Sequence, residues 1–180
     1  MERILAPLHL EHTAPNILDQ AAFALAGHDQ AQFQKNMAQG YGPSGRTPYP
    51  DYFGAAAGLI SSVTDMALYS NALDGTALLR EETRARAWTP TVSLSGATLP
   101  YGMGWFTQTL RSVKLVWHYG YWTANSSLFI KAPERGLAFI VLANSDGLSA
   151  QFPLADGDVT TSPFGREFIG AFVTGSAALP

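Results

Sequence analysis

The feature that most constrains the fold is a series of short apolar runs between Tyr101 and Asp146. The runs are rich in β-branched and aromatic residues, and turn-forming residues separate them. Each run is too short for a buried helix, so together they predict an antiparallel meander in which each strand pairs with the next. The runs are Tyr101–Leu110, Val113–His118, Trp122–Ala132 and Gly136–Asn144, with turns at Arg111-Ser112, at Gly120-Tyr121 and at 132–136.

The tripeptide His118-Tyr119-Gly120 marks the place in this meander where we expect a functional site. It stands at the end of an inner strand, where a polar side chain and a bare backbone are otherwise poor choices. The alternative is purely structural, because a histidine can fill an edge-strand position while Gly120 provides the turn.

The rest of the chain predicts helices and loops around the meander. Ser62 followed three residues later by Asp65 is a capping box, so a helix is predicted from there to Gly75. A second short helix is predicted over Arg80–Trp88, and Phe164–Val173 carries an apolar stripe suited to covering one sheet face. We predict a single partial domain of the α+β class: residues 1–100 mainly helix and loop, 101–146 antiparallel strands, and 163–174 a C-terminal helix.

Composition excludes several classes of function. The net charge is −3, from 11 basic and 14 acidic residues without a basic block, so nucleic acid is not an expected partner. The absence of cysteine excludes a disulfide framework, a thiolate metal site and a cysteine nucleophile. No apolar run is long enough for a membrane span, and the first ten residues do not read as a signal peptide, which leaves the compartment open.

No metal or cofactor is expected. His9 and His12 lie three residues apart, but no third ligand accompanies them. Asp156-Gly157-Asp158 lacks the further oxygen ligands and the closing glutamate of a calcium loop, so we interpret it as a surface loop.

Five stretches, taken in order, resemble the penicillin-binding-protein-like serine hydrolases, the group of class C β-lactamases, esterases and D-alanyl-D-alanine peptidases. Each stretch is short, but their order and spacing agree with that family from about residue 2 to about residue 173. The stretches are Pro7-Leu8 with Thr13, Ala56–Ala67, Tyr101–Trp105, His118-Tyr119-Gly120 and Asn144.

The resemblance implies a β-lactamase/transpeptidase-like fold and hydrolysis through a serine ester. His118 and Gly120 then correspond to the family's third active-site element, and we expect them to be catalytic. Tyr119 and Tyr121 are expected to contact the substrate, a small-molecule or peptide acyl compound. Gly120 would let the backbone pass close to the acyl group, and the Tyr121 N–H is a candidate oxyanion donor. Histidine in place of the family's lysine favours an esterase or peptidase over a strong β-lactamase.

The family's nucleophile is absent from this chain. That nucleophile is the serine of an S-x-x-K motif, but the residues three positions before the three lysines are Gln32, Arg111 and Leu128. Tyr69-Ser70-Asn71 reads as the family's Y-x-N motif, but it lies after the Pro7-Leu8 segment and inside a predicted helix, so we interpret it as helix content.

We therefore predict the C-terminal part of a serine hydrolase that is inactive alone, needing a missing N-terminal half or self-associating through an exposed apolar edge. The alternative is a non-catalytic binding or structural relative of the same fold.

Overall fold

The computed structural model describes residues 3–15, 21, 23, 27, 29–49 and 56–175, so parts of the predicted helix and loop region lie outside it. Its elements confirm an α+β fold with antiparallel sheets and flanking helices. The helices are α1 (Gln30–Asn36), α2 (Val63–Asp74), α3 (Glu81–Ala87) and α4 (Pro163–Phe168), the last continuing as a π-helical segment over Ile169–Val173. The strands are β1 (Gly40–Gly42), β2 (Gly45–Thr47), β3 (Phe106–Leu110), β4 (Val113–Trp122), β5 (Asn125–Ala132) and β6 (Leu137–Ala143).

The central sheet is the predicted meander, with the strand order β3-β4-β5-β6 and every pair antiparallel. The turn at Arg111-Ser112 is confirmed, and both residues adopt positive φ, at 47° and 67°. The predicted turn at Gly120-Tyr121 is wrong. β4 continues to Trp122, and the chain reverses at 123–124, where Ala124 takes the positive φ of 60°.

The predicted first strand also begins later than its apolar run suggests. Gly102 lies so close to the Ala87 carbonyl that a side chain would collide with it, and Gly104 has a φ of 79°. The Gly102 N–H donates to the Trp105 carbonyl at 2.7 Å, which closes a turn before Phe106. The glycines of this stretch therefore make a sharp bend against α3, and only the residues after the bend are extended.

Both faces of the sheet are covered, which explains why its two inner strands are apolar on both sides. Val113, Leu115 and Trp117 of β4 belong to the main core, together with residues of the C-terminal helical segment such as Ile169. Val116, on the opposite face, packs with Ala87, Trp88 and Trp105. Each fully buried Val, Leu or Ile side chain of these two cores contributes about 1.5–3 kcal/mol by leaving water.

A buried lysine attaches α2 to the sheet. Lys131 of β5 is only 1% exposed, and its Nζ donates to the Ser70 Oγ at 2.6 Å and to the Ser70 carbonyl at 3.2 Å. Its Nζ also lies 3.0 Å from a carboxylate oxygen of Asp74 and 5.8 Å from the centroid of the Phe129 ring. Because a buried ammonium must be fully hydrogen-bonded, these contacts fix one position of α2 on the sheet.

The predicted helix start at Ser62 is confirmed, but only the serine half of the capping box is seen. The Ser62 Oγ accepts the Asp65 N–H at 3.1 Å, whereas the buried Asp65 carboxylate accepts the His12 N–H at 2.8 Å and the Thr13 hydroxyl at 2.7 Å and so holds the N-terminal turn. Ala14 and Ile60 then pair as a β-bridge. Two stretches that resemble the hydrolase family are thus in direct contact.

Candidate active site

The open part of β4 is the most distinctive feature of the candidate site. β3 pairs with Val113 to Trp117 only, so the following residues, 118–122, have β5 as their one strand neighbour within the described part of the chain. No described strand pairs with the β3-side edge of residues 118–121, so backbone N–H and C=O groups of this segment are placed to pair with an extended ligand. His118, Gly120 and Trp122 share one face because side chains alternate along a strand.

Tyr101 holds the imidazole of His118. The Tyr101 hydroxyl and His118 Nε2 are 3.0 Å apart, and the two ring centroids are 6.0 Å apart. The Tyr101 ring in turn packs edge-on against Phe106, with centroids 4.6 Å apart. The tyrosine side chain is therefore fixed between the strand and the ring that it orients.

The surroundings of His118 favour the neutral ring. Partial burial lowers its pKa from the ordinary value of 6.5, and a hydrogen bond with the backbone of Tyr119 offsets this only in part. The residue is nevertheless exposed, so solvent and ligands reach the ring. A neutral imidazole at neutral pH can both accept and donate a proton, which suits general acid–base chemistry.

The side chains of Tyr119 and Tyr121 lie on the other face of β4. Tyr119 packs against the main core beside Phe106 and Trp117, with centroid distances of 5.8 Å and 6.1 Å. Burial raises its pKa, and the nearby Tyr121 and Asp156 add to the rise. Tyr121 is 54% exposed. The structure therefore brings His118 and Gly120 together, whereas the two tyrosines reach that surface only through their backbone.

Gly120 keeps the His118 face of β4 flat. It pairs with Ser127 of β5, and a Cβ at position 120 would stand 3.3 Å from the Ser127 Oγ. A side chain there would crowd the serine and cover the strand, so glycine leaves room for close approach of a ligand.

A serine–lysine contact exists elsewhere, but it is not a nucleophile site. Ser70 and Lys131 are at most 2% exposed and lie between α2 and the sheet, where no substrate can reach them. Of the Y-x-N-like residues, Ser70 is buried while Asn71 is exposed, as expected on a helix. Among the described residues, no cluster of three or more His, Asp or Glu can hold a metal ion.

Sequence reasoning missed Tyr101 as a site residue. In the sequence, Tyr101 is only the first residue of the Tyr101–Trp105 motif, and it stands 17 residues before His118. The bend at Gly102 and the pairing of Phe106 with Trp117 bring its hydroxyl to the imidazole. No local pattern indicates this contact.

Comparison with known proteins agrees with the geometry. A family model described as Beta-lactamase matches residues 1–158. No curated protein matches the chain. No helix in the described part of the chain combines the length and apolarity that crossing a membrane requires.

Three solved structures share the fold. The octameric penicillin-binding protein homologue from Pyrococcus abyssi has a TM-score of 0.64 at 24% identity, over 81% of this chain and 33% of that one. The D-amino acid amidase from Ochrobactrum anthropi, complexed with L-phenylalanine amide, has a TM-score of 0.59 at 21% identity, over 80% and 42%. The D-stereospecific amidohydrolase from a Streptomyces species has a TM-score of 0.60 at 21% identity, over 98% and 47%. The chain thus spans less than half the length of each of these proteins.

Proposed function

Because the chain belongs to the Beta-lactamase family, we propose that it forms the C-terminal part of a serine hydrolase that works through a serine ester. The observation that carries the proposal is the position of His118, which lies on the open part of β4 and is oriented by Tyr101. The substrates of the complete protein would be β-lactams, D-alanyl peptides, small esters or amides. Two of the similar structures are amide hydrolases by name, which supports including amides.

In the proposed mechanism this chain supplies the groups that surround the reacting carbonyl. A serine outside the chain attacks that carbonyl, and the Tyr121 N–H stabilises the oxyanion from the open edge of β4. Neutral His118, held by Tyr101, assists proton transfer to the leaving group and later from the attacking water. Gly120 leaves space for the acyl group beside the strand.

The chain alone is proposed to be inactive. No lysine of the 180 residues follows a serine by three positions, so the S-x-x-K nucleophile would come from further polypeptide. β6 is the natural place for added polypeptide, since LAFIVLA carries no charge and pairs only with β5 among the described strands. Self-association is the second route, and a similar protein is octameric.

Intact-mass labelling tests this proposal. The purified chain is incubated with a fluorophosphonate and, separately, with a penicillin, and neither is expected to add mass. The reading frame upstream of Met1 is then sequenced, and any longer polypeptide that carries S-x-x-K and Y-x-N is purified and labelled. A stoichiometric adduct on a serine of the 180-residue chain would overturn the assignment, and so would a longer polypeptide that takes up neither reagent.

The second candidate function is ligand binding without catalysis, which the lack of S-x-x-K favours. It predicts that the chain is a stable monomer with a sharp two-state melt and no binding of hydrophobic dyes. The hydrolase proposal instead predicts dye binding or self-association through the apolar edge. Sedimentation equilibrium together with dye fluorescence distinguishes the two.

A further inference from the structure

A row of aromatic rings runs along the face of β4 opposite His118 and leads out of the core. Trp117 is fully buried, Tyr119 is partly exposed and Tyr121 is 54% exposed. The ring centroids of Trp117 and Tyr119 are 6.1 Å apart, and those of Tyr119 and Tyr121 are 6.4 Å apart, with interplanar angles of 33° and 21°. The row therefore ends at the surface in two nearly parallel tyrosine rings.

The two tyrosines lie beyond the end of β3. β3 pairs with β4 only as far as Trp117, where the Phe106 ring stacks on the indole with centroids 4.4 Å apart. No described strand lies beside Tyr119 and Tyr121 on that side of the sheet. Packing against the core thus holds the inner end of the row, while a ligand can reach the outer ring from solvent.

A carboxylate stands beside this row, on the segment that leads to the C-terminal helix. Burial raises the pKa of Tyr119, and Tyr121 and Asp156 raise it further, because the Asp156 charge lies close to the phenol. Asp156 is exposed, and within the described part of the chain its carboxylate has no ion-pair partner. A negative charge therefore stands next to accessible aromatic rings.

Contacts with β3 and with the residue before Tyr101 fix the segment that carries Asp156. Gly157 has a φ of 85° and lies so close to the Pro100 ring that a side chain would collide with it. One residue further, the Asp158 carboxylate accepts a hydrogen bond from the Gln108 side chain at 2.7 Å. The carboxylate and the rings therefore hold their relative position without a ligand.

This combination selects both the charge and the shape of a ligand. The face of an aromatic ring is electron-rich and attracts cations, and a carboxylate adds to that attraction, whereas both repel an anion. Because the row is open to solvent on one side, it does not enclose an ammonium group as an aromatic cage does. A planar guanidinium instead stacks on a single ring face and still directs N–H donors to a carboxylate.

We propose that Tyr119, Tyr121 and Asp156 form a binding site for the guanidinium group of an arginine side chain on a polypeptide partner. The site lies on the face of β4 opposite His118 and needs no nucleophile, so it does not depend on the proposed function. It gives the chain a means of holding a basic segment against the strand that carries His118.

Three capped amino acids test the proposal on the 180-residue chain. N-acetyl-arginine amide is planar and cationic, the citrulline derivative has nearly the same shape but no charge, and the lysine derivative is cationic but not planar. Each is titrated against ¹⁵N-labelled protein, and the backbone signals of Tyr119, Tyr121 and Asp156 are followed by NMR. The arginine probe is expected to shift these signals saturably. It should bind about threefold or more tighter than the citrulline probe, and tighter than the lysine probe.

Two variants and a matched control locate the binding. Tyr121→Leu removes the outer ring and Asp156→Asn removes the charge, and both are expected to fold because the two positions are exposed. Either change should reduce the preference for arginine over citrulline by about twofold or more. Tyr41→Leu, at a tyrosine of β1 that is 44% exposed, should leave the preference unchanged.

Equal affinities for the arginine and citrulline probes, a lysine probe that binds as tightly as arginine, no saturable shift, or shifts confined to other regions would overturn the assignment. An unchanged preference in both variants would do the same. None of these results bears on the acyl labelling of a complete protein, which tests the proposed function separately.

Discussion

Replacing Lys131 by methionine is the most informative test of how the fold is held. The substitution keeps most of the side-chain volume on β5 and removes the ammonium that joins Ser70 and Asp74 of α2 to the sheet. The Ser70 hydroxyl and carbonyl then lose this donor between the helix and the sheet. We expect a large loss of stability without a change of fold.

The magnitude follows from the surroundings of each partner. Each hydrogen bond from the ammonium to Ser70 is worth about 1.5–3 kcal/mol, because the donor is charged. Asp74 is 42% exposed and returns to water when its partner is lost, so that ion pair adds at most about 1 kcal/mol. The apolar surface of methionine returns about 1–2 kcal/mol. These terms leave a net destabilisation of about 1–6 kcal/mol, a range that contains the ~3–5 kcal/mol typical of removing one partner of a buried ion pair.

Urea denaturation followed by tryptophan fluorescence measures the free energy of unfolding. Lys114→Met is the matched control, since Lys114 lies half-buried on the neighbouring strand β4, and a change under about 0.5 kcal/mol is expected. The double variant Lys131→Met/Ser70→Ala should lose less stability than the sum of the losses of the two single variants. The reason is that it contains no unpaired Ser70 hydroxyl. A Lys131→Met protein as stable as the unmodified chain, or strictly additive losses, would refute the reasoning.

Three further predictions follow from the site and the N-terminal turn. Tyr101→Phe removes the hydrogen bond to His118, which is worth about 0.5–1.5 kcal/mol. It should lower kcat of a complete enzyme about two- to tenfold and leave KM little changed. Tyr41→Phe is the control, and an equal fall of kcat in that variant would contradict the prediction. Because burial lowers the pKa of His118, this histidine takes up a proton at a higher pH in the unfolded chain than in the folded one, so the free energy of unfolding is unaffected above about pH 6.5 and falls as pH drops towards the folded-state pKa. The urea midpoint of His118→Gln should therefore change less with pH than that of the unmodified chain. Parallel curves for the two proteins would count against this. His9 has a φ of 53°, a left-handed conformation that glycine adopts without strain. His9→Gly should therefore raise the free energy of unfolding, measured in urea, by about 1 kcal/mol, while His9→Ala should leave it unchanged. Equal stabilities of the two variants would show that the turn is unstrained.

Local patterns were enough for the sheet, the helix caps and the family. The strands of the meander pair with their sequence neighbours, so each apolar run carries its own signal, and the Ser62 N-cap marks the start of α2 without tertiary information. His118 was found for the same reason, since it lies in a short motif on one strand. The misplaced turn at Gly120 shows the limit of this approach. Glycine predicts a turn by default, but here Ala124 adopts the positive φ and Gly120 stays extended.

The remaining parts of the site depend on contacts between distant residues. Tyr101 reaches His118 through strand register, and the segment before the β1–β2 hairpin is held to the central sheet by the Asn144 side chain, which donates to the Gln39 carbonyl across 105 residues. The burial of Lys131 under α2 is likewise invisible in the sequence, where it stands in an apolar strand as an apparent exception. Such long-range pairs are chosen by packing geometry, which residue periodicity does not encode.

The neighbour-by-neighbour order of the meander also determines when its parts form. Two-residue turns join β3 to β4 and β4 to β5, and such hairpins close within about 1–10 μs. The contact between Ser70 and Lys131 instead closes a loop of 61 residues, which is slower because more chain entropy is lost first. We therefore expect the meander to assemble as an early unit. Although α2 is synthesised earlier, we expect it to pack on the sheet only after β5 has paired and Lys131 is in place. The strand that carries His118 therefore forms before α2 packs against the sheet.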